Sequence, residues 1–223
     1  MSENNRHTGV DNKASMSENN RHTGGKKMKD LTAIFDYNQL LFLLKKYRRP
    51  RDKITELIKK QEIIRVKKGL YLNTEKLPQQ NLMALANLVY GPSYLSKEYA
   101  LSYHGLIPER VYEFTSMTSG KSKTFQTPVG RFSYQSVEIP YYVEAIERRE
   151  NSTGSAYLIA TPEKALCDLI YYKHFPKADE FKSYLSGLRI EIENLKTPII
   201  KKLAKISKRR SLELLYEVLE GTK

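Results

Sequence analysis

The sequence predicts an α+β protein, with a small domain over residues 31–77 and a mixed α+β domain that ends in helices over residues 78–223. Three observations lead to this prediction. Apolar residues follow helical spacing on both sides of residue 50. Segments rich in Tyr, Phe, Thr and Val, typical of strands, fill the middle of the chain, and helical spacing returns after residue 161. Strands grouped in one region and helices in another are typical of the α+β class.

The first 30 residues stand apart because they contain an identical repeat. The sequence MSENNRHTG occupies residues 1–9 and again residues 16–24. The segment has almost nothing apolar to bury, so we expect a disordered tail that contributes nothing to the fold. Its histidines, His7 and His22, lack the further ligands that a metal site needs.

The first predicted helix of the small domain follows an acidic N-cap. Asp36 precedes Gln39 by three residues, which is the spacing of a capping box. Leucines at positions 40, 41, 43 and 44 then supply the apolar side of the helix. The short link of residues 47–49 leads from this helix to Pro50.

Residues 49–72 (RPRDKITELIKKQEIIRVKKGLYL) predict a second helix that continues into a hairpin. Pro50 suits the first helical position, and apolar residues at positions 54, 57 and 58 share one face. From Ile63 the pattern alternates at period two, which indicates a strand. Lys67-Lys68-Gly69 supplies a turn, and residues 70–72 return as the second strand.

Helix, tight turn, helix and hairpin in this order are typical of a winged helix-turn-helix. In that fold the second helix enters the major groove of DNA and the hairpin, or wing, reaches the flanking backbone. The alternative is that the lysine-rich face of this helix is ordinary solvent-exposed surface without a binding role. Because element order and charge agree, we predict double-stranded DNA as the partner. The predicted contacts are Arg49, Arg51, Lys53, Thr55, Lys59 and Lys60 on the helix, with Arg65, Lys67 and Lys68 on the wing.

The second domain is predicted to open with two helices. Residues 82, 85 and 89 form one apolar face, and Gly91-Pro92 closes this helix. Ser96 is placed to cap a short helix from Lys97 to His104, which Gly105 ends. Residues 111–118 and 125–139 indicate strands, and residues 127–130 (TPVG) suit a turn that joins two of them.

The remaining elements follow in the same way. Residues 157–159 predict a further strand, and Thr161-Pro162 predicts the start of a helix whose apolar side includes the lone Cys167 as a small buried residue. Asp179 and Thr197-Pro198 are expected to open the last helices. Their predicted inward faces comprise Ile199, Ile200, Leu203, Leu212, Leu215 and Leu219.

The charge balance points to an anionic partner. The net charge is +13 and the sequence pI about 9.6, which favours a polyanion or an acidic protein. Residues 31–80 hold twelve Lys/Arg against five Asp/Glu, and residues 196–223 hold eight against three. No apolar run approaches a membrane span and no signal-peptide pattern follows the start. Because the chain also has only one cysteine, we expect it to be located in the reducing environment of the cytoplasm.

Three segments together resemble a known family. They are residues 63–72 (IIRVKKGLYL), 94–109 (YLSKEYALSYHGLIPE) and 160–172 (ATPEKALCDLIYY). This series resembles the AbiEi antitoxins of bacterial abortive-infection, type IV toxin–antitoxin systems, over roughly residues 31–220. The resemblance implies a winged helix-turn-helix followed by an antitoxin domain. It also implies repression of the protein's own operon at inverted repeats, and action against a nucleotidyltransferase toxin in phage defence.

Patterns for enzymatic chemistry are weak. Ser102 and His104 lie two apart on a helix and so point to different faces. Residues 119–123 (SGKSK) lack the spacing of a phosphate loop, and a basic loop that touches DNA, RNA or a partner suits them better. A nucleotidyltransferase would need Gly-Ser followed by paired aspartates, and Gly154-Ser155 has no such pair after it. Glu191 and Glu193 have no neighbours to complete a metal site. We therefore expect no catalytic residues, no metal and no cofactor.

Two other functions stay open. One is a stand-alone winged-helix regulator whose C-terminal domain senses a small ligand, and the other is a nucleic-acid-processing enzyme, which the missing acid pairs disfavour. A toxin gene beside this one would favour the antitoxin.

Overall fold

The computed structural model describes residues 32–77, 81–152, 154–190 and 194–221. The repeat in residues 1–30 and the Glu191/Glu193 pair lie outside these ranges. Within them, no helix combines the length and the apolar character that crossing a bilayer requires.

The first part of the chain forms a small sheet with two helices. Its elements in order are strand β1 (Ile34–Asp36), helix α1 (Tyr37–Leu43), helix α2 (Pro50–Lys59), strand β2 (Ile63–Lys67) and strand β3 (Leu70–Asn73), followed by a 3₁₀ turn (Thr74–Lys76). The strands pair antiparallel in the order β1-β3-β2. The hairpin strand β2 is therefore an edge strand.

The second part is larger. Its first elements are α3 (Asn81–Val89), β4 (Ser93–Leu95), α4 (Lys97–Tyr103), β5 (Phe114–Thr118), β6 (Lys123–Thr127) and β7 (Gly130–Ser136). Next come α5 (Ile139–Tyr142), β8 (Ile146–Glu150), β9 (Ala156–Ala160), α6 (Pro162–Ile170), α7 (Ala178–Gly187), α8 (Thr197–Ser207) and α9 (Arg210–Gly221). The six strands form one mixed sheet in the order β6-β7-β5-β4-β9-β8, so the α+β class is confirmed.

Local signals in the sequence set several element boundaries. The Asp36 side chain accepts from the Gln39 amide and the Gln39 side chain accepts from the Asp36 amide, both at 2.8 Å, which confirms the capping box. Pro50 begins α2 as predicted. The Thr161 hydroxyl accepts from the Lys164 amide at the start of α6. The predicted turn joins β6 to β7, with Thr127 opposite Gly130.

Some boundaries differ from the prediction. Residues 111–113 precede β5 and are not part of it, and the predicted strand over residues 125–139 is divided by the turn and ends at Ser136. The short helix α5 follows, with Pro140 in its first turn, where a missing amide hydrogen is tolerated. Strands β4 and β8 were not predicted. Helix α7 begins at Ala178, one residue before the predicted Asp179, whereas α8 begins at Thr197-Pro198 as predicted.

The small sheet buries both of its faces. Tyr71 in β3 belongs to an apolar cluster with Leu40 of α1 and Leu57 of α2. Its neighbours Leu70 and Leu72 belong to the main core with residues such as Leu85 and Leu101. Successive side chains of a strand point to opposite faces, so β3 connects the two clusters. The two predicted domains therefore share an apolar boundary through this sheet.

A buried polar network lies at the centre of the larger part. Asp168 accepts from the Ser96 hydroxyl at 2.6 Å and from the Tyr141 hydroxyl at 2.8 Å. The Lys164 ammonium is 3.4 Å from Asp168, and it donates to the Tyr141 carbonyl at 2.8 Å. Both charged side chains are fully buried. Burial lowers the pKa of Lys164, against the opposing effect of the Asp168 carboxylate.

This network explains why Ser96 does not cap α4 through its side chain. Ser96 occupies the N-cap position as predicted, but its hydroxyl makes no cap hydrogen bond. The hydroxyl donates to Asp168 on α6 instead. The bond joins two of the three segments on which the family resemblance rests, residues 94–109 and 160–172.

We expect Asp168→Ala to lower the free energy of unfolding by about 3–5 kcal/mol, because it leaves a buried ammonium without its counter-charge. The matched control is Lys202→Ala, which breaks an exposed ion pair with Glu144 and should cost no more than about 1 kcal/mol. Denaturant titration of both variants measures the difference. Equal losses in the two variants would mean that the network does not hold the fold together.

Candidate nucleic-acid interface

Burial of one side of α2 fixes the direction in which its other side points. Ile54 and Leu57 are buried in the cluster beside the small sheet, with relative exposures of 6% and 3%. With 3.6 residues per turn, the opposite side then carries Asp52, Thr55 and Lys59, which are exposed. Arg51 is exposed as well, so α2 presents to solvent a polar surface with two cations, Arg51 and Lys59, and one carboxylate.

Glu56 balances two of the predicted DNA-contacting lysines. Its carboxylate accepts from Lys53 at 2.9 Å and from Lys60 at 2.6 Å. These two hydrogen bonds lower the pKa of Glu56 to about 2. The hydrogen bond to Glu56 also raises the pKa of Lys60. Arg49, at the N-cap of α2, lies 3.6 Å from Asp52, and both of these side chains are largely exposed.

Arg51, Thr55 and Lys59 form a column along the helix at spacings of four residues. All three are exposed, and the Thr55 hydroxyl donates to the Arg51 carbonyl at 3.2 Å. Among the described residues, no carboxylate pairs with the side chain of Arg51 or Lys59. These two cations are therefore more available to an external anion than Lys53 or Lys60.

The hairpin of β2 and β3 is short, and its turn is held against the junction of β1 and α1. Its turn needs Gly69, whose φ is +86°. The Gly69 carbonyl accepts from the Tyr37 amide at 3.1 Å, and Leu70 pairs with Asp36 of β1. The hairpin therefore ends level with β1 and does not project beyond the sheet. Arg65 and Lys68 are exposed along its edge and at its tip.

Lys67 has a partner within the protein. Its ammonium donates to the Val89 carbonyl at 2.6 Å, and burial lowers its pKa. Val89 is the last residue of α3, where a cation is favoured by the helix dipole. Lys67 therefore ties the hairpin turn to the larger part, a role that the sequence prediction of a DNA contact did not include.

The basic loop of residues 119–123 packs at the same end of α3 as the hairpin turn. The Lys123 ammonium lies 4.6 Å from the ring centroid of Tyr90, the residue after Val89. A Cβ at Gly120 would lie 2.8 Å from the Tyr90 hydroxyl, so the loop packs closely on this ring. Lys121 and Lys123 are exposed, as is Lys68. A DNA, RNA or protein contact for this loop stays a prediction.

The sequence offered Ser102 and His104 as weak catalytic candidates, and both make local hydrogen bonds in the structure. The Ser102 hydroxyl donates to the Glu109 carbonyl at 2.9 Å, and Nε2 of His104 lies 2.8 Å from the Ala160 carbonyl oxygen. His104 is the C-cap of α4, which confirms the predicted end of this helix. Cys167 is fully buried, and burial raises its thiol pKa. No group of three or more His, Cys, Asp or Glu in the described ranges could hold a metal ion.

Comparison with protein-family models and with curated proteins finds no match to this chain. The resemblance to AbiEi antitoxins therefore stays a prediction that rests on the three segments quoted above.

We expect Lys67→Ala to lower the free energy of unfolding by about 1–2 kcal/mol, because it removes a partly buried, charge-assisted hydrogen bond. The neighbouring Lys68→Ala removes the same charge from an exposed position and should change stability by no more than about 0.5 kcal/mol. Urea titration of the two variants tests the difference. If they unfold at the same midpoint, Lys67 does not anchor the hairpin.

Proposed function

We propose that the chain is a DNA-binding antitoxin of the AbiEi type. In this proposal it represses its own operon in the cytoplasm and counteracts a nucleotidyltransferase toxin of a type IV, abortive-infection system. The DNA-binding part of the proposal is supported by helix α2, which buries its apolar side on the small sheet and exposes a basic side to solvent. The antitoxin half rests on the resemblance alone.

The order of elements supports a winged helix-turn-helix over residues 32–77. Strand, helix, helix and hairpin follow one another, and β1 completes an antiparallel sheet with the hairpin. Proteins with this module place the second helix in the major groove and use the hairpin against the backbone. By that geometry α2 is the recognition helix and β2–β3 is the wing.

The electrostatics of the interface divide the predicted contacts into three groups. We assign Arg51, Thr55 and Lys59 to the groove, because the two cations lack carboxylate partners among the described residues. The paired cations of α2 and the exposed cations of the wing are assigned to contacts with DNA phosphates. They are Arg49, Lys53, Lys60, Arg65 and Lys68. Lys67 is assigned to the scaffold, because its ammonium is already bound to Val89.

The first test of DNA binding is Arg51→Ala on promoter DNA that contains the inverted repeats. If Arg51 reads a guanine, the variant loses about 1–3 kcal/mol of binding to the operator and less to unrelated DNA. The control is Lys182→Ala, an exposed position on α7, which should leave both affinities unchanged. A loss that is equal on all sequences would make Arg51 a phosphate contact.

The same titrations over a range of salt concentrations test the wing. Each phosphate contact that is lost lowers the slope of log K against log salt by about 0.9. Lys68→Ala and Arg65→Ala should each show this change. An unchanged slope in both variants would remove the wing from the interface.

Neutralisation of the toxin is tested by the double variant Arg51→Ala/Lys59→Ala. Both side chains are exposed on α2, so we expect the variant to fold, to lose repression of a promoter fusion and still to rescue cells that express the toxin. Point variants are preferable to removal of residues 1–77, because the small sheet contributes Leu70 and Leu72 to the main core. Loss of rescue by a folded variant would place neutralisation on the same surface as DNA binding.

A ligand-sensing regulator is the second candidate, and one observation favours it. A cavity of about 690 Å³ lies between α7 and α9, and its lining is mixed: apolar residues such as Leu185 and Leu214 alternate with the charged Lys182, Arg189 and Glu217. Its volume falls within the range of small-molecule sites. A toxin gene next to this one, together with rescue by the full chain, would decide for the antitoxin.

A further inference from the structure

The turn between α8 and α9 gathers positive charge at a helix N-terminus. Helix α8 ends at Ser207, and Lys208 follows in the left-handed conformation with φ of +52°. The Ser207 hydroxyl accepts from the Arg209 amide at 3.3 Å, which orders the turn. Helix α9 then starts at Arg210 and runs for 12 residues. The Leu212 amide donates to the Arg209 carbonyl at 3.0 Å, whereas the amides of Arg210 and Ser211 precede the first helical hydrogen bond and, together with the helix dipole, favour an anion.

A cleft opens at this point. A first cavity of about 290 Å³ is lined by residues 171–175 and 208–211. A second cavity of about 370 Å³ is lined by Ser136, Glu138, Ile139 and others, and both cavities share Tyr171, Tyr172 and Arg209. Together they form a two-part cleft with Arg209 and the two tyrosines in the middle.

Ser211 supplies an independent sign of a polar ligand. It lines the first cavity at the start of α9 and is 5% exposed. Its hydroxyl is buried and has no hydrogen-bond partner among the described residues. A buried hydroxyl without a partner is unfavourable, and an oxygen-rich ligand at the helix N-terminus would satisfy it.

The cations around the first cavity are not equivalent. The Arg210 guanidinium is 2.7 Å from Glu217 and 3.4 Å from Glu213, so its charge is already balanced. The Arg209 guanidinium has no carboxylate partner in the described ranges and lies over the rings of Tyr171 and Tyr172, at 4.9 and 5.4 Å. A guanidinium fork held in this way suits a phosphate group. Lys208 is exposed beside it.

The second cavity offers an aromatic surface. Tyr172 is 49% exposed, and its hydroxyl donates to the Ser136 carbonyl at 2.5 Å, which fixes the ring. Ile139 is 67% exposed next to it, and Glu138 can accept from an amino group. An exposed, fixed aromatic ring is a stacking surface for a nucleobase.

We propose that this two-part cleft binds a nucleotide. The phosphate lies at the N-terminus of α9, held by Arg209, Ser211 and the first amides of the helix, and the base stacks on Tyr172. The nucleotide is either free or part of a single-stranded nucleic acid. The site is formed by other elements than α2, so its test is independent of promoter binding.

The test measures binding of inorganic phosphate, adenosine, AMP and a short single-stranded RNA to the full chain by titration calorimetry. AMP should bind at least about tenfold more tightly than phosphate or adenosine, because only AMP fills both cavities. Arg209→Gln should weaken AMP about tenfold or more, as expected for a charge-assisted contact. Ser211→Ala should weaken it by a few-fold. The control Lys205→Gln, which removes the same charge from an exposed position on α8, should leave AMP binding unchanged.

Tyr172→Leu separates the two halves of the cleft. It should weaken AMP about tenfold, through lost stacking, and weaken inorganic phosphate clearly less, because Arg209 keeps its contact with the Tyr171 ring. The RNA is measured in the Arg51→Ala/Lys59→Ala background, so that binding to α2 does not contribute. RNA that binds more tightly than AMP and is weakened equally by Arg209→Gln identifies a polynucleotide, and equal affinities identify a free nucleotide. The proposal is overturned if AMP binds no better than phosphate, or if Arg209→Gln behaves like Lys205→Gln.

Discussion

Burial of both faces of the three-stranded sheet is the constraint on which the rest of this structure depends. In β3 the alternation of Leu70, Tyr71 and Leu72 sends side chains to two different apolar clusters. One face holds α1 and α2 in place, so the basic side of α2 must face solvent. The other face joins the sheet to the main core. A two-stranded hairpin such as β2–β3 has little stability alone, and the third strand β1 together with this double burial supplies what it lacks. It also limits how far the hairpin of β2 and β3 projects, since the hairpin turn is held by Tyr37 and by Lys67.

The second constraint is the polar network around Asp168. Two fully buried charges are tolerated in an apolar core only when their hydrogen bonds are complete. Here the carboxylate has three partners, supplied by Ser96, Tyr141 and Lys164. Ser96 follows β4, Tyr141 lies in α5 and Lys164 in α6, so the network fixes three elements at once. Two segments that resemble the antitoxin family thus carry residues with a definite structural role.

The sequence predicted those features whose causes are local. The capping box at Asp36, the start of α2 at Pro50 and the cap at Thr161 depend only on residues within a few positions, and all three are confirmed. Features with distant causes were missed. Ser96 has the right spacing for a cap, but its partner Asp168 is 72 residues away. Strand β8 reads as a charged segment, and it is a strand because β9 pairs with it in register from Ile146 to Glu150. Strand β4 is only three residues long, too short for a period to be recognised.

The distinction between local and distant causes also applies to the charged residues. From the sequence alone, every lysine and arginine contributes the same charge. The net charge of +13 therefore predicts long-range attraction to any polyanion. The structure separates these cations by what surrounds them. Glu56 engages Lys53 and Lys60, Glu217 engages Arg210, and Val89 engages Lys67. The cations at ordered positions without a carboxylate partner in the described ranges include Arg51 and Lys59 on α2 and Arg209 beside α9. Attraction at a distance depends on the sum of the charges, but recognition depends on the few cations whose geometry is fixed and whose charge is not already balanced. In the proposals above, selectivity for an anionic partner therefore rests on these cations.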